Sequence, residues 1–188
     1  MVDRVIDWYD KLPAKRVQKR RLDQLEGILI HRYYQPGTAS PEDMAKFFVE
    51  KLNYHRAGYT FYCWRGDIHQ LAPVEVMTPH ASVLNRRYIG VAIYGDARLP
   101  SEAPGGTPYP MMTPADIESA VNVCGELCAE MNWLPELAIY GHTRKIKSVA
   151  WPDLVCPGGR LDIAGFRSDV SEYMKRRGEN PNPVLRMR

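Results

Sequence analysis

Gly27-Ile28-Leu29-Ile30-His31 is a short apolar run closed by a polar residue, the pattern of a buried strand with a histidine at its C-terminal end. Binding and catalytic groups of α/β sheets collect at such ends. The run therefore points to an α/β chain and singles out His31.

Working downstream, Ser40 has the chemistry of an N-cap, with Pro41 at the first helical position and Asp43 three residues on. Phe47, Phe48 and Leu52 give that segment an apolar helical face. Tyr59 to Trp64 alternates with aromatic character, and Arg65-Gly66-Asp67 turns it into Ile68-His69-Gln70-Leu71, a hairpin signal. Tyr88 to Tyr94 reads as a further strand closed by Gly95-Asp96. Leu99 to Pro110, crowded with Pro and Gly, reads as a long surface loop. Thr113-Pro114 with Asp116 opens a helix that places Ile117, Val121, Cys124 and Cys128 on one face, and Leu137 to Tyr140 is a strand delivering Gly141-His142. A last helix is expected around Asp169 to Arg177, before a tail too rich in Pro and Asn to be regular. Upstream, Lys15, Arg16, Lys19, Arg20 and Arg21 read as a solvated helical arm.

The expected architecture is a single α/β domain with a central mixed β-sheet flanked by helices. It divides into an N-terminal helical extension (1–26), a core domain (27–166) and a C-terminal helix with tail (167–188). The 188 residues, 45% hydrophobic and 25% charged, suit one core of this kind. A net charge of +3 is too small for a generic nucleic-acid binder. No apolar run reaches the roughly 20 residues that cross a bilayer, and the first ten residues contain acids and no signal-peptide core. Neither a nucleic acid nor a membrane is an expected partner. Four cysteines in this length are not a disulfide scaffold. Cys63, Cys124 and Cys128 fit small core positions, and His55 and His69 have no companion feature.

His31 and His142 each follow an apolar strand, so one sheet can present both imidazoles at the same edge. Cys156, in Val155-Cys156-Pro157-Gly158-Gly159, lies where the chain must turn and can bring a thiolate back to that edge. Two imidazoles and a thiolate form a zinc set that leaves the fourth tetrahedral position open, the catalytic pattern. The alternative at this point is a pair of histidines satisfied in the core or at the surface.

Ile28-Leu29-Ile30-His31, Gly58-Tyr59-Thr60-Phe61, Arg65-Gly66-Asp67-Ile68-His69-Gln70-Leu71, His80-Ala81, Ile89-Gly90-Val91-Ala92-Ile93-Tyr94-Gly95, Gly141-His142 and Cys156-Pro157-Gly158 occur in the order seen in type 2 N-acetylmuramoyl-L-alanine amidases. From about Gly27 to Phe166 the chain resembles that family, which includes phage amidase endolysins and the animal peptidoglycan recognition proteins. The resemblance implies a zinc hydrolase that cleaves the amide between the lactyl group of N-acetylmuramic acid and L-alanine of peptidoglycan. It implies His31, His142 and Cys156 as Zn2+ ligands in a surface groove at the strand ends. Tyr59 would stand beside the metal as a hydrogen-bond donor to the developing oxyanion, and His80 would line the groove near the substrate.

The sequence departs from the family at two auxiliary positions. Leu154 stands where phage members have lysine and recognition proteins tend to have threonine, and Ala92 stands where another variant has glutamate. Lys147, with Lys145 and Arg144 as neighbours, is the candidate to supply the missing proton donor. A peptidoglycan or muropeptide substrate and a monomer are expected. So is synthesis in the cytoplasm, followed either by release to the cell wall, as for a phage or prophage endolysin, or by a recycling role. The rival readings are a non-cutting peptidoglycan-binding protein of the same fold and a zinc hydrolase of another amide.

Overall fold

The computed structural model describes residues 5–35, 37, 39–99, 110–142 and 156–179. The run beginning at Gly27 forms strand β2 (Gly27–Tyr33). It pairs in parallel with β5 (Tyr88–Tyr94) on one side and β6 (Ile139–Gly141) on the other. Next to β5 lies β3 (Phe61–Trp64), also parallel, which turns through Arg65-Gly66 into antiparallel β4 (Asp67–Gln70). Strand β1 (Val5–Asp7) completes a six-stranded mixed sheet in the order β1-β4-β3-β5-β2-β6. The hairpin and the mixed sheet flanked by helices are as the sequence indicates.

Alternation along β2 decides where the chemistry can sit, because successive side chains of a strand point to opposite faces. Ile28 and Ile30 join the main core with Ile89, Val91, Ile93 and Phe61. That core is closed by α2 (Pro114–Met131) and α4 (Ile163–Glu179), through Cys124, Leu127, Phe166 and Val170. Leu29 and Tyr33 belong to two smaller clusters, which places His31 between them on the opposite face. There the cover comes from α1 (Pro41–Lys46) and the π-type turn Phe47–Lys51, through Met44 and Phe48.

The helix starts follow capping chemistry. Ser40 and Thr113 each accept a hydrogen bond from the backbone N–H three residues on, Asp43 and Asp116 respectively. Asp116 also accepts from Gly66 N–H at 2.9 Å, which ties the β3–β4 turn to α2. Buried Glu126 accepts from Tyr173 Oη and Arg177 Nε, both at 2.8 Å, and so joins α2 to α4. Cys63, Cys124 and Cys128 are buried and form no disulfide among the described residues, in keeping with core positions.

Four expectations are corrected. The N-terminal extension is not helical: its described residues form β1 and one 3-10 turn, Leu22–Gln24. The cause is hydrogen bonding across space. Val5, Ile6 and Asp7 pair with Ile68, His69 and Gln70, and Trp8 Nε1 donates to His69 Nδ1 at 2.9 Å. Arg20 is buried rather than solvated, donating to the carbonyls of Val74, Asn85 and Tyr88 at 2.6–2.8 Å. The strand expected from Leu137 begins only at Ile139, because Pro135 opens the short helix α3 (Pro135–Ala138) and leaves Leu137 67% exposed. The last helix starts at Ile163, ahead of Asp169 and across the expected boundary at 166, since Ile163 and Phe166 already reach the core. The loop Leu99 to Pro110, apart from its two end residues, and the tail beyond Glu179 lie outside the described residues.

A buried carbonyl deprived of its donor is costly, and bonds to a charged donor are worth more than neutral ones. Arg20→Met is expected to lower the free energy of unfolding by about 2–3 kcal/mol, read from urea denaturation. An unchanged midpoint would show that the three carbonyls find other partners.

Candidate metal centre

His31 is the fifth residue of β2 and lies opposite Ala92 of β5 in the ladder. His142 follows directly on β6. Cys156 reaches them because the turn after it is locked to the end of β5. Gly158 has φ +121, and a Cβ there would lie 2.4 Å from the Ala97 carbonyl, so only glycine fits this close approach. Arg160 N–H then donates to the same carbonyl at 2.8 Å.

Among the described residues, His31, His142 and Cys156 form one group whose ligand atoms all lie within 4.8 Å of one another. His31 Nδ1 is 3.8 Å from Cys156 Sγ, and the two imidazole centroids are 4.4 Å apart. His142 Nδ1 is buried and has no hydrogen-bond partner among the described residues. A buried polar atom without a partner costs free energy unless something satisfies it. Nitrogen, nitrogen and sulfur donors converging beside such an atom fit a zinc ion with one position left open.

The electrostatics agree. Burial, reinforced by His142 and His80, holds His31 well below its ordinary pKa, and burial lowers His142 as well. Burial pushes the Cys156 thiol up to about 11, against an opposing pull from the Arg32 backbone and charge. The imidazoles are thus neutral, as ligation requires, and the thiol gives up its proton only to a strong Lewis acid. Tyr59 is 9% exposed, with its ring centroid 5.1 Å from that of His31. Burial, with Cys156 and Tyr33 adding to it, raises Tyr59 well above the ordinary phenol range, so its hydroxyl keeps its proton and remains a donor.

His80, expected near the substrate, is 9% exposed, and among the described residues both of its ring nitrogens are engaged inside the protein. Nδ1 lies 3.1 Å from His31 Nε2, and Nε2 lies 3.1 Å from the Tyr88 carbonyl oxygen. A signal for this was present in the sequence. Gly90 is the one residue without a side chain in Tyr88–Tyr94, and a Cβ there would sit 2.7 Å from His80 Cγ. A glycine inside a strand marks such a close approach. Lys147, with Arg144, Lys145 and Leu154, lies outside the described residues. Ala92 is fully buried and offers no carboxylate.

A model of the N-acetylmuramoyl-L-alanine amidase family matches residues 21–159, most of the chain. No curated protein matches the sequence closely enough to count as a relative. Among solved structures, the chain is similar to the endolysin N-acetylmuramoyl-L-alanine amidase LysCS from Clostridium intestinale, at 15% identity and TM-score 0.68, covering 89% of this chain and 95% of that one. It is also similar to a mutant of Drosophila PGRP-LB in complex with tracheal cytotoxin, at 21% identity and TM-score 0.63, covering 87% and 93%. A third is the Ph2119 endolysin from a Thermus scotoductus bacteriophage, at 16% identity and TM-score 0.62, covering 89% and 99%. At these identities the structures speak for the fold.

The convergence of donor atoms yields a direct expectation. Cys156→Ser and His142→Ala should each weaken zinc binding by more than the roughly 10–100-fold typical of a lost outer-shell partner, with the circular dichroism spectrum preserved. Chelator competition measures it, and wild-type affinity in either variant would remove that residue from the set.

Proposed function

Because the chain belongs to the N-acetylmuramoyl-L-alanine amidase family, we propose that it hydrolyses the amide between the lactyl group of N-acetylmuramic acid and L-alanine of peptidoglycan. In this proposal His31, His142 and Cys156 hold a zinc ion. The observation that carries it is the buried Nδ1 of His142, without a hydrogen-bond partner among the described residues, beside the other two donors. When bound, zinc would polarise the scissile carbonyl and lower the pKa of a water molecule to about 7.

The chain's own side chains divide the remaining work. Tyr59 presents a protonated phenol beside His31, placed to donate to the oxygen that gains charge as the carbonyl becomes tetrahedral. The departing alanine nitrogen needs a proton. Lys147 is the proposed donor, since the described part of the cluster holds no carboxylate and Ala92 occupies the ladder position beside His31. His80 touches no substrate in this scheme. The enzyme acts on the cell wall or its fragments, and among the described residues no helix is long and apolar enough to cross a membrane.

Ala92 favours one second reading, a protein of the same fold that binds peptidoglycan without cutting it. Dye release from labelled cell walls, with mass analysis of the muropeptides, separates the two. Chelator-sensitive release with a free L-alanine amine supports hydrolysis, whereas binding without release supports the second reading. An intact lactyl–alanine bond in released products would assign the activity to another bond. Tyr59→Phe is expected to lower kcat by about 100- to 1,000-fold while leaving zinc content at the wild-type level. A kcat within a few-fold of wild type would place the oxyanion donor elsewhere.

A further inference from the structure

We propose that His80 is a positioning residue for the metal centre: through its hydrogen bond to His31 Nε2 it fixes the ring of His31 and leaves the Nδ1 lone pair turned toward Cys156. The inference rests on the zinc site proposed above and goes beyond it by assigning a role to a residue that touches neither metal nor substrate.

The argument is one of donors and acceptors. A backbone carbonyl can only accept, so the 3.1 Å contact between His80 Nε2 and the Tyr88 oxygen requires the hydrogen to be on His80 Nε2. A neutral imidazole carries one N–H, so His80 Nδ1 is bare and accepts. Its neighbour at 3.1 Å, His31 Nε2, must then be the donor. That leaves the bare nitrogen of His31 at Nδ1, the atom 3.8 Å from Cys156 Sγ. One carbonyl thus dictates, two rings away, which nitrogen is free to ligate. The general rule for metal-bound histidines is that the second ring nitrogen donates to an outer acceptor and thereby sets the ring's orientation. Here that acceptor is another imidazole.

His80 is itself held rigidly. Its backbone N–H and that of Ala81 both donate to Asn85 Oδ1, at 3.0 and 2.6 Å. Its ring lies against Gly90, where a Cβ would come within 2.7 Å, and stands edge-on to His31 with centroids 5.2 Å apart. Arg20 Nη1 donates to the same Tyr88 carbonyl at 2.6 Å, which anchors the far end of the relay.

The test combines a metal-free and a metal-bound measurement on the full chain. In metal-free wild type, long-range proton–nitrogen correlation spectra are expected to show both His31 and His80 protonated at Nε2. In His80→Ala, the His31 nitrogen shifts should move toward the average of two tautomers. Zinc affinity by chelator competition should fall about 10–100-fold in His80→Ala. His80→Asn, whose Oδ1 can occupy the place of Nδ1 and accept from His31, should return to within a few-fold of wild type. Gly90→Ala, which displaces the ring without removing a nitrogen, should weaken zinc in the same direction as His80→Ala.

A His31 protonated at Nδ1 in wild type, or wild-type zinc affinity in His80→Ala, would overturn the proposal. So would an asparagine variant as weak as the alanine variant at equal metal-free melting temperature. If His80→Ala does not fold, the wild-type tautomers and the asparagine variant decide. If wild type binds no zinc, the metal reading fails, while the tautomer spectra still report on the relay.

Discussion

Strand β2 is the constraint on which everything else depends. It is hydrogen-bonded on both sides by parallel neighbours, β5 over seven residue pairs and β6 over three, so it can neither slip nor tilt without breaking two ladders. Parallel strands require crossover connections; the one from β5 to β6 carries α2, which buries Ile28 and Ile30 together with α4, the helix that follows the last strand. A shift of one residue would send the isoleucines to the metal face and His31 into the packed layer of α2 and α4. The same register sets His142, because β6 ends where β2 presents its histidine.

The three donor side chains are formally uncharged before a metal arrives. His31 and Cys156 are buried, and burial is the first cause of each of their shifts. Arg32 and Asp96 lie within 3.5 Å of each other at the strand ends, so charge next to the cluster is already paired. A ligand set of this kind favours a cation that binds neutral nitrogen and displaces a thiol proton, and disfavours hard ions that want carboxylates. The aromatic residues around it, Tyr33, Phe48 and Tyr59, pack on one another with centroids 5.7–6.0 Å apart. They hold the Tyr59 ring in place by ring contact.

Much of this was legible in the chain. An apolar run ending in histidine occurs twice, and the strand ends of an α/β sheet are where such residues meet, so His31 and His142 could be paired before any coordinates. Ser40 and Thr113 announce their helices through local chemistry alone, and local chemistry survives folding. What could not be read depends on partners distant in sequence. Arg20 looks like any residue of a basic run until three carbonyls from residues 74 to 88 are brought around it. The strand character of Val5–Asp7 exists only because β4 offers an edge. His80 was visible as a family position, but its direction, inward to His31, is set by Gly90 and Asn85 and by no periodicity.

The family match begins at residue 21, one position beyond Arg20. The outermost support of the metal-side network therefore belongs to sequence that a family boundary would assign to a dispensable leader. Trimmed to that boundary, the chain would end its sheet on β4, with an open backbone edge and without the Trp8 indole over His69. The Tyr88 carbonyl would lose its Arg20 donor. In modular terms, the unit that can be moved between proteins is larger than the unit that sequence similarity recognises.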